Sequence, residues 1–396
     1  MKTGWQTKTL GEICEIERGG SPRPIQNFIT TDPKGINWIK IGDATASGKY
    51  IYKTEEKIKP EGVKRSRMVY EGDFILSNSM SFGRPYIMKT TGCIHDGWLV
   101  LHQPKVDPDY LYHVLSSDLV FSQFDRLAAG STVRNLNIGL AKSVEIPYPP
   151  LPEQRRIVGI LDQAFEGIAT AKANAEKNLR NARALFESHL QSVFTQRGEG
   201  WVDTTIGEAI RFIDYRGKTP VKTASGIRLI TAKNVKMGYL QETPMEFIAS
   251  ASYRDWMTRG IPQKGDVLFT TEAPLANVAQ LDTDEKVAFA QRIIIMQPAK
   301  TKLDSTFLKY LLLSGPIQQR IRTEGTGATV QGIKASLLKQ IEISFPKTLT
   351  EQGLIVEKLD ALNEEAQRLE SIYQQKLAAL DALKKSLLHQ AFNGQL

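Results

Sequence analysis

Cysteine and histidine are scarce. The 396 residues include two cysteines, Cys14 and Cys93, and five scattered histidines, His95, His102, His113, His189 and His389. Their spacing builds neither a disulfide framework nor a zinc site, so a reducing cytoplasm is the expected setting. Long apolar runs are also missing. No stretch reaches the roughly 20 residues that a spanning helix needs. The opening MKTGWQTKTL lacks the apolar segment of a secretory leader. No membrane role is expected. Hydrophobic residues are 41% of the chain, enough for ordinary cores, and the length predicts two or more domains.

Catalytic signatures are absent too. Tyr148-Pro149-Pro150-Leu151 is a distant echo of the Asn-Pro-Pro-Tyr motif of amino-methyltransferases, but it lacks the leading Asn or Asp and reads as punctuation before a helix. Gly327-(x4)-Gly332-Ile333-Lys334 misses the Gly-Lys-Ser/Thr end of a phosphate-binding loop. No glycine-rich fingerprint follows a strand to hold a dinucleotide or S-adenosylmethionine. Pro108-Asp109 has no downstream Glu-x-Lys for a nuclease metal, and no Ser, His and Asp spacing marks a triad. The chain is therefore expected to be no enzyme, with no catalytic residue, metal or cofactor of its own.

What is present is length without interruption. From Leu151 to Phe194 strong helix formers dominate, and no proline follows Pro152, which suits a first helical turn. At about 1.5 Å per residue such a helix is on the order of 60 Å long, too long to be buried in one compact domain. Its apolar seam runs through Ile157, Leu161, Ala164, Ile168, Ala171, Ala175, Ala182 and Leu185, in steps of three and four. A second copy starts at Glu351, and each matched pair is 198 residues apart: Glu153-Gln154 and Glu351-Gln352, Leu161-Asp162 and Leu359-Asp360, Phe194 and Phe392. Its seam is richer, with Ile355, Leu359, Leu362, Ala366, Leu369, Tyr373, Leu380, Leu383 and Leu387. Small residues against large ones predict that the two helices pack on each other as an antiparallel coiled coil.

The stretches between the helices repeat more loosely. Trp5, Arg18-Gly19, Gly35-Ile36, Gly72-Asp73 and Gly130 return as Trp201, Arg216-Gly217, Gly226-Ile227, Gly265-Asp266 and Gly327, with offsets drifting between 191 and 198. Strands are expected at Ile36–Ile41, Asp73–Ser77, Gly97–Leu101, Arg228–Thr231, Val267–Thr271 and Arg292–Gln297, and short helices at Asp109–Ser117 and Ser305–Ser314. The expected fold is α+β: mixed domains at 1–150 and 197–346, and long helices at 151–196 and 347–396, arranged as a pseudo-two-fold internal repeat.

The net charge of +8 is unevenly spread. It is +3 and +5 in the two globular stretches, and +1 and −1 in the helices. That suits polyanion binding by the domains and protein contacts by the helices. Basic, amide and hydroxyl residues cluster in the expected loops of both halves. The first half has Arg18, Ser21 and Arg23; Asn78, Ser79, Ser81 and Arg84; Thr132, Arg134 and Asn135. The second has Arg216, Lys218 and Thr219; Lys233 and Asn234; Gln291 and Arg292; Thr329, Gln331 and Lys334. Arg suits guanine edges, Asn and Gln suit adenine, and Ser, Thr and Lys hold phosphates. These are the candidate contacts to double-stranded DNA.

The whole layout resembles the specificity subunit of bacterial type I restriction–modification systems, a phage-defence family. The resemblance rests on Pro149-Pro150-Leu151-Pro152-Glu153-Gln154 opening the long helix, on its weaker copy Thr348-Leu349-Thr350-Glu351-Gln352, and on Gly265–Leu268 with the less close Gly72–Leu76. It implies two target-recognition domains, each reading half of a split DNA site. It also implies paired helices that set the spacing and dock two methyltransferase subunits. Those subunits would carry S-adenosylmethionine, and separate motor-nuclease subunits would carry the ATP and Mg²⁺ chemistry. Three alternatives stay open: the recognition subunit of a related system with fused methyltransferase and nuclease, a coiled-coil scaffold with no DNA role, and an enzyme of unrecognised type.

Overall fold

A computed structural model describes residues 4–78, 83–128, 136–215, 219–327 and 331–396. The chain divides into two compact units, Met1–Glu176 with Gln375–Leu396, and Lys177–Gln374. Both long helices, Leu151–Thr195 and Leu349–Phe392, are cut by this division.

In the first unit a five-stranded sheet runs in the order Glu15–Arg18, Trp98–His102, Phe74–Ser77, Pro85–Met88, Tyr50–Ile51. In the second unit four strands repeat that order: Ile210–Asp214, Ile293–Pro298, Val267–Thr270, Val278–Gln280. The central strands are covered on both faces, so they read as continuous apolar runs rather than alternating ones. Phe74, Leu76, Leu99 and Leu101 point into one core, which also holds Ile157 and Leu161 of the long helix. Ile75, Trp98 and Val100 point into a second core, with Ile39 and Ile94. The second unit divides the same way. Val267, Phe269, Ile294 and Met296 face the helix side, and Leu268, Ile293 and Ile295 face Ile230 and Phe289.

That second core leads to a second sheet with as many strands as the first, in which Gly92–Ile94 pairs in parallel with Ile36–Ile39, and Val287–Phe289 with Ile227–Ile230. A two-stranded sheet closes each unit: Gln6–Thr9 with Glu145–Tyr148, and Trp201–Thr205 with Glu342–Pro346. The Gly-Asp motif is a turn device. Gly72 and Gly265 sit at φ +93° and +91°, and the following Asp73 and Asp266 accept backbone N–H bonds from Tyr70 (2.8 Å) and Gln263 (2.7 Å).

The helices pair antiparallel within each unit. In the first, Ile157 and Leu161 share a core with Leu388, Ala391 and Phe392, and Lys172 pairs with Asp381 at 2.7 Å. In the second, Leu190 and Phe194 share a core with Leu359, and Arg183 pairs with Glu370 at 2.9 Å. The helix ends therefore pack on each other and on the sheet at once.

Two seam positions need correction. Leu185 is 60% exposed and Leu383 47% exposed. A strict seven-residue repeat predicts them, but the buried stripe follows the straight helix and recurs after five whole turns: Ile157 and Ala175, Ala164 and Ala182, Ile168 and Phe186. Phe186 takes the place expected of Leu185. In the terminal helix the exposed Lys384, next to Leu383, reaches across instead, and its ammonium lies 4.9 Å from the Phe165 ring centre. Ile168 and Leu359 are buried, while Ile355, Leu362, Leu369 and Leu380 are half-buried.

A polar contact fastens each long helix to a domain helix. The buried His113, in Pro108–Leu115, meets Asp162 through Nε2 at 2.8 Å. Tyr310, in Ser305–Leu313, donates to Asp360 at 2.5 Å. Burial holds the His113 pKa below its usual 6.5, so its Nε2–H donates to the carboxylate at neutral pH.

Two outcomes test this packing. Leu161→Ala empties a fully buried site and should cost about 2–5 kcal/mol by denaturant unfolding, whereas Leu185→Ala should stay within about 0.5 kcal/mol. Equal losses would mean that the seven-residue register holds. The second concerns acid. Below about pH 6.5 the unfolded chain takes up a proton that folded His113 resists, so stability falls as pH falls. His113→Tyr, which installs the residue of the second unit, should reduce that slope in melting curves between about pH 5 and 7, and an unchanged slope would remove His113 as a cause.

Candidate nucleic-acid interface

In the first unit four candidate contacts converge on a turn, His95–Gly97, that joins the parallel-paired strand to the central sheet. Gly19 makes this possible. A Cβ there would lie 2.0 Å from the His95 carbonyl oxygen, so only glycine lets the end of strand Glu15–Arg18 cross the turn. Asp96 is the hub. Its carboxylate accepts from Ser21 Oγ (2.7 Å) and from Arg23 Nη2 (3.2 Å), and its backbone carbonyl accepts from Arg18 Nε (3.2 Å) and Asn78 Nδ2 (2.9 Å). The Ser21 hydroxyl, outweighing partial burial, holds the Asp96 carboxyl below its usual range. Arg18 and Arg23 are exposed and fixed in direction by these bonds.

His95 sits beside the hub with its pKa lowered by burial. Its Nδ1 accepts from the Gly97 N–H at 2.8 Å, which places the proton of the neutral ring on Nε2. A cavity of about 910 Å³ opens here, lined by Ser21, Arg23, Trp38, Lys40, Glu55 and His95 among others.

The second unit builds the equivalent turn from other residues. Ala290-Gln291-Arg292 stands where the first unit has His95-Asp96-Gly97. Arg292 is held at φ +80°, a region that side chains with a Cβ avoid. Its carbonyl accepts from the Thr271 N–H at 2.9 Å, and its Nε reaches Glu272 at 2.8 Å. The neighbouring loop is bent the same way, with Ala273 at +45° and Ala276 at +66°. Such strain persists where surrounding contacts enforce it and gathers at functional sites. Gly332 and Ile333 dock on the same loop, Ile333 donating to Thr271 O at 2.9 Å, so Gln331 and Lys334 flank that contact. Both are exposed, as is Arg292, and Gln291 is half-buried.

Two amides leave the set of base readers. Asn78 is 1% exposed and ties its strand end to the Asp96 turn. Asn234 is 1% exposed and fully committed: Oδ1 accepts from the Thr231 N–H (3.0 Å) and hydroxyl (2.9 Å), and Nδ2 donates to the Gln241 (3.0 Å) and Pro244 (2.9 Å) carbonyls. Neither has an edge to offer a base. Lys233 and Thr219 are exposed, and Arg84 lies 5.7 Å from the Tyr86 ring centre. Ser79, Ser81, Thr132, Arg134, Asn135, Arg216, Lys218 and Thr329 lie outside the described residues. Sequence reasoning missed Asp96 and Glu272, because it sought cations and amides. Aligning the turn His95–Gly97 with Ala290–Arg292 was the signal that could have found Asp96; nothing in that alignment marks Glu272.

Among the described residues no group of three His, Cys, Asp or Glu side chains is arranged to hold a metal, and no helix is long and apolar enough to cross a membrane. Burial pushes the Cys14 thiol up to about 12 and raises that of Cys93, so both are neutral and poor nucleophiles.

The sequence profile of the type I restriction modification DNA specificity domain matches residues 2–179 and again 202–377. A putative type I restriction enzyme MjaX specificity subunit of Methanocaldococcus jannaschii is 24% identical, over 99% of this chain and 93% of that protein. The EcoKI specificity subunit of Escherichia coli is 20% identical, over 100% and 90%. Two solved structures share the fold. One is a chain from work on complex assembly and conformational transition of the type I R-M system (TM-score 0.81, 21% identity, 100% of this chain and 99% of that one). The other is the HsdS subunit of Thermoanaerobacter tengcongensis (TM-score 0.63, 20%, 100% and 98%).

The strain at Arg292 has a direct test. At an ordinary site Ala is more stabilising than Gly by about 0.5–1 kcal/mol. At φ +80° the order should invert, with Arg292→Gly more stable than Arg292→Ala by about 1 kcal/mol in denaturant unfolding. The ordinary order would mean an unstrained turn.

Proposed function

We propose, from the premise that the chain belongs to the family of type I restriction–modification DNA specificity proteins, that it is the non-catalytic sequence reader of a methyltransferase–endonuclease complex. Each unit reads one half of a bipartite DNA site through the turn beside its central sheet. The helices hold the two readers apart and dock two methyltransferase subunits. Those partners bring S-adenosylmethionine, and motor-nuclease subunits bring ATP and Mg²⁺ chemistry. One observation carries this reading: the equivalent turn is built twice, once beside each unit's central sheet, with unlike side chains. The first reader presents Arg18 and Arg23 anchored on Asp96, and the second presents Gln291 and Arg292 braced by Glu272.

The chemistry of base edges fits such a pair. Arginine donates bidentately to guanine, glutamine matches adenine, and a carboxylate accepts from the cytosine amino group. Asp96 and Glu272 also lower the local positive charge. They penalise arginines that merely sit on phosphate, which favours sequence reading over general attraction to DNA. Unlike side chains in the two turns favour unlike half-sites, hence an asymmetric recognition sequence.

The experiment is a reader exchange. Residues 1–150 are replaced by those of another family member, the complex is assembled with its methyltransferase subunits, and the methylated sites in genomic DNA are mapped. One half of the site should change while the other half and the spacer remain. Change in both halves would defeat the reading. Within the natural chain, Arg292→Gly should relax the second half-site alone.

A further inference from the structure

Each long helix begins with a buried glutamine that belongs to the domain behind it. Gln154 is 2% exposed. Its Oε1 accepts from the Asp107 N–H at 2.8 Å, and its Nε2 donates to the Pro149 carbonyl at 2.8 Å. Asp107 in turn caps the domain helix, accepting from the Asp109 and Tyr110 N–H groups at 3.0 and 3.1 Å. The second unit repeats the joint. Gln352 is fully buried, accepts from the Asp304 N–H at 2.8 Å, and donates to the Pro346 and Lys302 carbonyls, both at 2.8 Å. Asp304 caps its own domain helix through the Thr306 and Phe307 N–H groups. Eight residues along each long helix, about 12 Å at 1.5 Å per residue, comes the second attachment already described: Asp162 on His113, Asp360 on Tyr310.

Two attachments do what one cannot. A single polar contact is a pivot about which a domain can swing. Two, about two helical turns apart, fix the angle between domain helix and long helix. The apolar contacts between them, Ile157 and Leu161 in one unit and Ile355 and Leu359 in the other, are not directional and tolerate sliding. Hydrogen bonds are directional, and breaking those of Gln154 and Gln352 would leave backbone groups unpaired.

We propose that Gln154 with Asp162, and Gln352 with Asp360, are positioning residues that set how strictly the protein measures the spacer between its half-sites. This rests on the bipartite reading above. The pairs touch no DNA. They act by denying each reader the swing that would let it reach a half-site one base pair nearer or farther.

The test uses the assembled methyltransferase complex and duplexes carrying the mapped half-sites with the natural spacer or a spacer one base pair longer or shorter. Gln154→Met and Gln352→Met keep bulk and remove the two bonds of Gln154 and the three of Gln352. Each should raise methylation of the altered spacers relative to the natural one by about tenfold, equivalent to roughly 1.4 kcal/mol of discrimination. Gln154→Glu keeps the acceptor and loses the donor, so it should fall between. Asp162→Asn keeps an acceptor for His113 and should restore most of what Asp162→Ala loses. Leu161→Val serves as the packing control: it should lower the melting temperature and leave the spacer ratio unchanged. Asp162 is half exposed, so its variants report even if a buried methionine prevents assembly. A wild-type spacer ratio in Gln154→Met or Asp162→Ala complexes overturns the positioning role. A wild-type complex indifferent to spacer length overturns the bipartite reading itself.

Discussion

An α-helix cannot gain or lose a residue without turning everything beyond it by about 100°. The rest of the structure depends on that constraint. The long helices bury one stripe against sheet and partner, and a single insertion would carry the stripe to the outside. This explains why the helical copies keep one offset of 198, while the copies of the domains drift. Domain loops absorb insertions at little cost, so sequence change collects where reading is done.

Within each domain the same division holds between frame and reader. The central strands are buried on both faces, and their alternate residues belong to different cores. Altering one of them disturbs packing on one side or the other. The turn at the strand ends is free of that double duty. It carries Asp96 with its arginines in one unit, and a left-handed Arg292 braced by Glu272 in the other. A strained residue on a rigid sheet is an expensive way to make a turn and a good way to aim a side chain.

The duplicated layout, the strands and the helices were legible because each leaves a period or a repeated residue. The expected strands Asp73–Ser77 and Val267–Thr271 lie within a residue of Phe74–Ser77 and Val267–Thr270. What failed was illegible for physical reasons. The stripe positions near Leu185 and Leu383 depend on whether the helix winds at 3.5 or 3.6 residues per turn, a difference that accumulates only over many turns. Asn78 and Asn234 have the composition of base readers, but burial, invisible in a linear string, turns them into staples. Asp96 and Glu272 were passed over because a carboxylate among cations looks like neutralisation until its hydrogen bonds show it holding them in place.

The two units also show how a repeated contact survives divergence. In the first, Phe165 of the central helix packs its ring on His113 at 5.4 Å, and Lys384 of the terminal helix lies over it. In the second, the residue aligned with Phe165 is Asn363 and the one aligned with Lys384 is Phe186, whose ring packs on Tyr310 at 6.2 Å. The aromatic ring has changed helices, yet in both units it meets the residue that the long-helix aspartate holds. Hydrophobic burial is non-directional, so either helix can supply the ring. The aspartate's hydrogen bond is directional, and it has stayed with its own helix while its partner changed from histidine to tyrosine. Both copies have kept the aspartate of this polar joint in the same place, one residue after the buried Leu161 and Leu359, while the ring beside it moved.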